Sequence, residues 1–141
     1  MIAGLAEHLT IIPPAYQCAL PFGSNFGVTN VAFWAIANNA ALGYAQFDSW
    51  LTVGITDGDA TGQLGNIGID FASWNDATGI TVSDGAVFWM SPDDGPAAGT
   101  DAVLAQITVA EGSTGTASMG MQGRSASGED WQSDNILFSY P

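Results

Sequence analysis

"TASMGMQGRSASGEDWQSDNILFSY", residues 116–140, decides the fold class. Ala117, Met119 and Met121 alternate with small or polar residues, and beyond a turn-rich stretch Ile136, Phe138 and Tyr140 alternate again. A period of two is that of a strand with one face on a core. Residues 122–134 therefore read as the hairpin connection between two antiparallel strands, and they hold Arg124, the only cation in a chain without lysine.

The same pattern extends backwards. Leu51, Val53 and Ile55 share a face, as do Ile67, Ile69 and Phe71; Ala86, Phe88 and Met90; and Val103, Ala105, Ile107 and Val109. Thr52, Asp70, Thr108, Ser118 and Ser139 are expected to point outward. Clusters such as "TDGDATGQLG", "WNDATG", "SDGA", "SPDDGPAAGTD" and "EGSTG" separate the runs. Short alternating strands at this spacing predict an all-β, antiparallel β-sandwich of jelly-roll or immunoglobulin-like kind. "VTNVAFWAIA", residues 28–37, is continuously apolar and predicts a strand buried on both faces or in an interface; "NNAALGYAQ" after it predicts a short helical turn.

Residues 1–27 carry three prolines, at 13, 14 and 21, and apolar anchors without alternation. They predict an extended N-terminal arm, with the sandwich domain over 28–141. Such a segment either packs irregularly on its own sandwich or docks on a neighbouring subunit by strand addition, and the second reading makes Pro13, Pro14, Tyr16 and Phe22 candidate interface residues. Arg124 joins them as a candidate intersubunit contact, set against an ion pair within its own loop or a contact with Trp131.

The net charge is −13, with fourteen acids, yet the acid content is ordinary; what is missing is the base. Polyphosphate backbones and anionic membranes are held by Lys and Arg, so nucleic acid and membrane surfaces are not expected as partners. No apolar stretch approaches the length that spans a bilayer, and the sequence from Met1 lacks a cationic leader, so synthesis without Sec export is the expectation, with a leader already removed as the alternative.

Chemistry is sparsely supplied. Cys18 and His8 are single, which argues against a disulfide framework, a soft-metal site or a nucleophile–base pair. Cys18 is expected to be a small buried apolar residue. The carboxylates Asp70, Glu111, Glu129 and Asp130 lie in or beside turns, poor places for a glycosidase acid. Asp57, Asp59 and Thr61 resemble the first half of a calcium loop, although Gly68 stands where its closing acid belongs; calcium is thus the cofactor candidate, with an Asx-stabilised turn as the plainer reading. Asp93, Asp94 and Asp101 form a second acidic turn. Trp50 and Trp89 fall opposite the apolar alternation of their strands; core or interface is their plainer reading, and as exposed faces they would suit sugar stacking.

Taken together, "FDSWLTVG", "IGIDF", "GAVFWMSPDDGP", "VLAQITV" and "GRSASGEDWQSDNILF" resemble the strand-and-turn pattern of uncharacterised β-rich domains in surface or secreted proteins of aquatic microbes, over about residues 47–138. The resemblance implies the sandwich and transfers no catalytic motif.

Edge strands of soluble monomers are commonly guarded by lysine, and this chain has none. The expectation is a non-enzymatic structural subunit that meets copies of itself and another structural protein. A virion shell or capsid decoration protein on the virion surface fits best. The alternative is an extracellular or cell-surface matrix, fibre or carbohydrate-binding module.

Overall fold

The computed structural model of the chain describes residues 9–28, 31–56, 58, 63–90, 101–125 and 127–141. Its longest elements flank the Arg124 turn: β7 (Gly115–Arg124) and β8 (Asp130–Tyr140) pair antiparallel from Gly115–Tyr140 to Arg124–Asp130. Ala117 and Met119 are buried, as their alternation requires, and Met121 packs against the same core. The register slips once. Met119 faces Ile136 but Met121 faces Ser133, so β8 carries a bulge at Asp134–Asn135, where Asn135 adopts a φ of 55°. Asparagine is among the few non-glycine residues that tolerate this left-handed region.

The hairpin belongs to a four-stranded sheet in the order β4-β1-β7-β8. Here β1 is Thr10–Ile12 and β4 is Ile80–Val82, paired from Thr10–Val82 to Ile12–Ile80, while Ile11 pairs with Ser118 of β7. The described part of the expected arm is therefore built into the domain. A β-branched run, Thr10, Ile11 and Ile12, precedes the first proline and suits a strand. Pro13 and Pro14 end that strand rather than prevent it, because they lack the N–H a longer ladder would need. Thr10 and Ile12 are fully buried, and Ile11 points the other way.

Residues 13–28 follow the same surface. The Trp74 indole N–H donates to the Pro13 carbonyl at 2.9 Å, and the backbone N–H groups of Ala15 and Tyr16 donate to Asn75 and Thr108. Phe26 forms a parallel bridge with Leu51, and the Leu20–Pro21 peptide is cis. Residues 1–8 lie outside the described residues.

Two small antiparallel ladders complete the described strands. β2 (Trp50–Leu51) pairs with β6 (Ala105–Gln106), and β3 (Gly65–Ile67) pairs with β5 (Ala86–Phe88). The chain is β-rich with antiparallel sheets, as expected. A main core joins Ile12, Leu51, Val53, Ile55, Trp74, Ile80, Val87, Trp89, Ala117 and Met119. A satellite cluster of Cys18, Ala37 and Ala45 gathers Tyr16, Phe22, Trp34 and Leu42.

Several faces differ from the alternation. In residues 86–90 the inward set is Val87 and Trp89, and Met90 is exposed; every residue there is apolar, so the period alone does not choose the face. Ile67 is 66% exposed, although Ile69 and Phe71 pack on the core as expected. Thr52 turns inward because its hydroxyl donates to the Ile55 carbonyl at 2.7 Å, which satisfies the buried oxygen.

Within the apolar run 28–37, residues 31–37 are helical turns rather than the expected strand. Residues Val31–Phe33 form a 3-10 turn that leads into α1 (Trp34–Ala37), closed by the Asn38 N–H on the Trp34 carbonyl at 3.1 Å. Ala35 and Ala37 favour the helical backbone, and the turn presents only Ala37 to full burial. The helical turn expected after it is present as bonded turns at Asn39 and a 3-10 turn at Ala45–Phe47.

Candidate functional site

Residues 101–110 cross the domain without joining β8. The N–H groups of Thr52 and Gly54 donate to the carbonyls of Leu104 and Val103, both at 2.8 Å. The Gln106 amide donates to the carbonyls of Asp48 (2.7 Å) and Gln46 (3.0 Å), so the segment is anchored to residues 46–54. Between it and the β7–β8 hairpin an apolar cleft of about 400 Å3 stays open. Val103, Leu104, Ala105 and Ile107 form one wall; Ala117, Met119, Phe138 and Tyr140 form the other.

The second wall follows from register. Phe138 lies directly opposite Ala117, and opposed residues of an antiparallel pair share a face, so Phe138 points to the core side. It nevertheless remains 43% exposed because β8 is the last strand of its sheet among the described residues. On the other face of the strand Leu137 is 66% exposed. A second hollow of about 600 Å3 shares Val109 and Tyr140 with the cleft and is walled by Pro14, Tyr16, Asp76 and Thr108.

The satellite cluster holds the one fully buried acid among the described residues. Asp48 has no solvent exposure, and its two carboxylate oxygens accept the backbone N–H groups of Cys18 (2.8 Å) and Ser24 (2.5 Å). This holds residues 18–24 as a loop, and Gly23 is needed within it because a Cβ there would overlap the Cys18 carbonyl. Burial pushes the Cys18 thiol above its ordinary value, with the Asp48 charge acting the same way. The thiol contacts the Leu42 carbonyl at 3.4 Å. Burial also raises the Tyr16 phenol, aided by the charges of Cys18 and Asp48, and its hydroxyl donates to the Gly43 carbonyl. Burial disfavours the thiolate, and among the described residues no cation stands beside Cys18 to offset that cost, so what these contacts supply is a structural clamp.

Sequence reasoning picked out Cys18 but missed Asp48. The acid lies thirty and twenty-four residues from its amide partners Cys18 and Ser24, and only its setting in the apolar run "YAQFDSWLTV" hints at burial.

Of the candidate interface residues, Pro14 and Tyr16 line the second hollow together, and Tyr16 and Phe22 pack on the satellite cluster. Pro14 is exposed and Pro13 half-buried under Trp74; Tyr16 is tied to Gly43, and Phe22 meets Phe33 edge to face at 5.9 Å. Arg124 makes a two-pronged pair with Asp130 across the hairpin mouth, Nε to Oδ1 at 2.7 Å and Nη2 to Oδ2 at 3.1 Å. That pair lowers the Asp130 carboxyl below its ordinary range. Trp50 and Trp89 are not exposed: each retains only about a twentieth of its surface, which removes the flat faces a sugar would stack on. Both lie in or next to short strands with cover on both sides, a setting that alternation does not reveal. Trp131 is the exposed tryptophan, at 42%.

The calcium candidates Asp57, Asp59 and Thr61 lie outside the described residues, as do His8, Asp93 and Asp94. Among the described residues no three His, Cys, Asp or Glu side chains converge as metal ligands, and no helix is long and apolar enough to cross a membrane. Compared with protein families, curated proteins and solved structures, the chain shows no match.

Proposed function

We propose that the protein is a non-enzymatic structural subunit that works by associating with copies of itself and with another structural protein. The observation that carries this reading is the β8 edge. Phe138 is exposed at an open apolar cleft, Leu137 is exposed on the other face of the same strand, and the chain has no lysine to guard a sheet edge. Exposed apolar edges invite strand pairing, and soluble monomers normally blunt them.

The architecture we assign is a β-sandwich of jelly-roll or immunoglobulin-like kind, in which β2 and β6 cover part of the four-stranded sheet. Its support is the shared core of Leu51, Val53 and Ile55 with Ile12, Ile80, Ala117 and Met119. The setting we favour is a virion surface, as a shell or decoration protein, since a surface almost free of cations suits lateral packing without drawing in nucleic acid. Calcium bound at Asp57, Asp59 and Thr61 remains part of the proposal as a neutraliser of an acidic loop.

Sedimentation of the purified chain over a dilution series tests the assembly reading. Concentration-dependent mass above the monomer is expected; a monomer at the highest concentration reached overturns it.

A further inference from the structure

We infer that a second copy of this chain joins along β8, antiparallel, with Ile136–Tyr140 of the two copies paired about a two-fold axis at Phe138; this rests on the assembly reading above. The bulge at Asp134–Asn135 divides β8 into an acidic half, Asp130–Asp134, and a regular half, Ile136–Tyr140, that carries no charge. Each half pairs regularly with β7, but only the second runs for five residues without a charged side chain, and its midpoint is Phe138.

Charge excludes registers centred near the bulge, and the uncharged ladder is used in full only when its midpoint lies on the axis. In a chain of net charge −13, two copies repel unless their acids stay apart. A two-fold at Phe138 sets the two Asp134 residues about eight positions apart along the strands, roughly 27 Å at strand rise, well beyond a Debye length of about 8 Å. A two-fold near Asp134 would instead bring like charges face to face. The opposite edge of the sheet, β4, is only three residues long and offers far less ladder.

The same register completes the packing. Opposed residues share a face, so Phe138 would meet its counterpart and each Ile136 would meet a partner Tyr140, all on the side of the open cleft. The rings left half-covered at the edge then cover one another. On the outer face Leu137 would lie opposite Ser139, both exposed in the single chain.

That last pairing supplies the test. Copies bearing Leu137→Cys are mixed with copies bearing Ser139→Cys, each in a Cys18→Ala background, and oxidised mildly. The mixture is expected to yield disulfide-linked dimer several-fold above either variant alone, because 137 opposes 139 and neither opposes itself. Phe138→Cys alone should cross-link to itself. Equal cross-linking of each variant with itself, or none in a sample that sedimentation shows to be associated, overturns the register while leaving the assembly reading intact. A wild-type chain that stays monomeric throughout overturns both.

Discussion

Oδ1 of Asp48 accepts the backbone N–H of Cys18 at 2.8 Å, across thirty residues of chain and with no water reaching the acid. The Ser24 amide fills the other oxygen at 2.5 Å, so one side chain fixes both ends of a loop. Asp48→Ala leaves two amides without their charged acceptor and is expected to lower stability by about 2–4 kcal/mol in urea unfolding. Asp48→Asn, which keeps one acceptor oxygen, should lie between the two; an unchanged midpoint for Asp48→Ala would remove the clamp from the account.

Cys18 and Tyr16 give the fold an alkaline limit. In the unfolded chain they ionise near their ordinary values of 9.0 and 10.0, whereas the fold holds both higher. Their contribution is fully present below about 9; as pH rises past it the unfolded chain releases protons first, and stability drains away until the folded groups ionise too. Urea midpoints should be level from neutral pH to about 9 and fall above it, and Cys18→Ala should soften the first part of the fall. In native protein at neutral pH the thiol should react with Ellman's reagent no faster than the chain opens.

Trp74 joins the N-terminal segment to the core, being 2% exposed with its indole bonded to Pro13. Trp74→Phe keeps most of the packing and strands that carbonyl, at an expected cost of about 1–2 kcal/mol. Trp74→Ala adds a cavity and should cost about 3–5 kcal/mol. Proteolysis between residues 13 and 28 should accelerate in step with these losses. A segment acting as a free arm would be cut equally fast in all three proteins.

Arg124 and Asp130 are both exposed, so their pair is open to solvent and salt. Arg124→Ala should leave the melting temperature at neutral pH almost unchanged. The Asp130 carboxyl, held low by the guanidinium, contributes above the ordinary carboxylate range and loses that contribution as pH falls through its depressed value. Carbon-detected titration should show Asp130 returning towards 3.8 in the variant; an unmoved Asp130 would show that the pair does not persist in solution.

The hairpin was the legible part of the sequence, because in β7 the buried Ala117 and Met119 alternate with the polar Thr116 and the part-exposed Ser118, so period and chemistry agree. Where they part, the reading fails. Residues 86–90 are apolar throughout, and the choice of Val87 and Trp89 over Phe88 and Met90 is seen only in the core they join, with Ile12, Leu51 and Trp74 from distant parts of the chain. Residues 31–37 are apolar in a row, a signal that a short helix and a buried strand share. Prolines 13, 14 and 21 argue against a central strand over residues 1–27, yet β1 fits because it ends just before the first of them. Of the candidate surface, Phe138 and Tyr140 were read as core-facing, and so they are; that the core stops short of covering Phe138 depends on β8 being an edge, which no local pattern encodes.

The position of β1 also orders events in time. β7 and β8 meet through a closure of a few residues at Arg124 and Asp130, whereas Ile11 reaches Ser118 from more than a hundred positions away. Closing the longer span carries the greater entropic cost, so the hairpin is expected to gain amide protection early and Thr10–Ile12 late, an order that pulse-labelled hydrogen exchange reads directly. A strand synthesised before either of its neighbours thus waits for both, and during that interval the chain holds a vacant strand position in the middle of its main sheet.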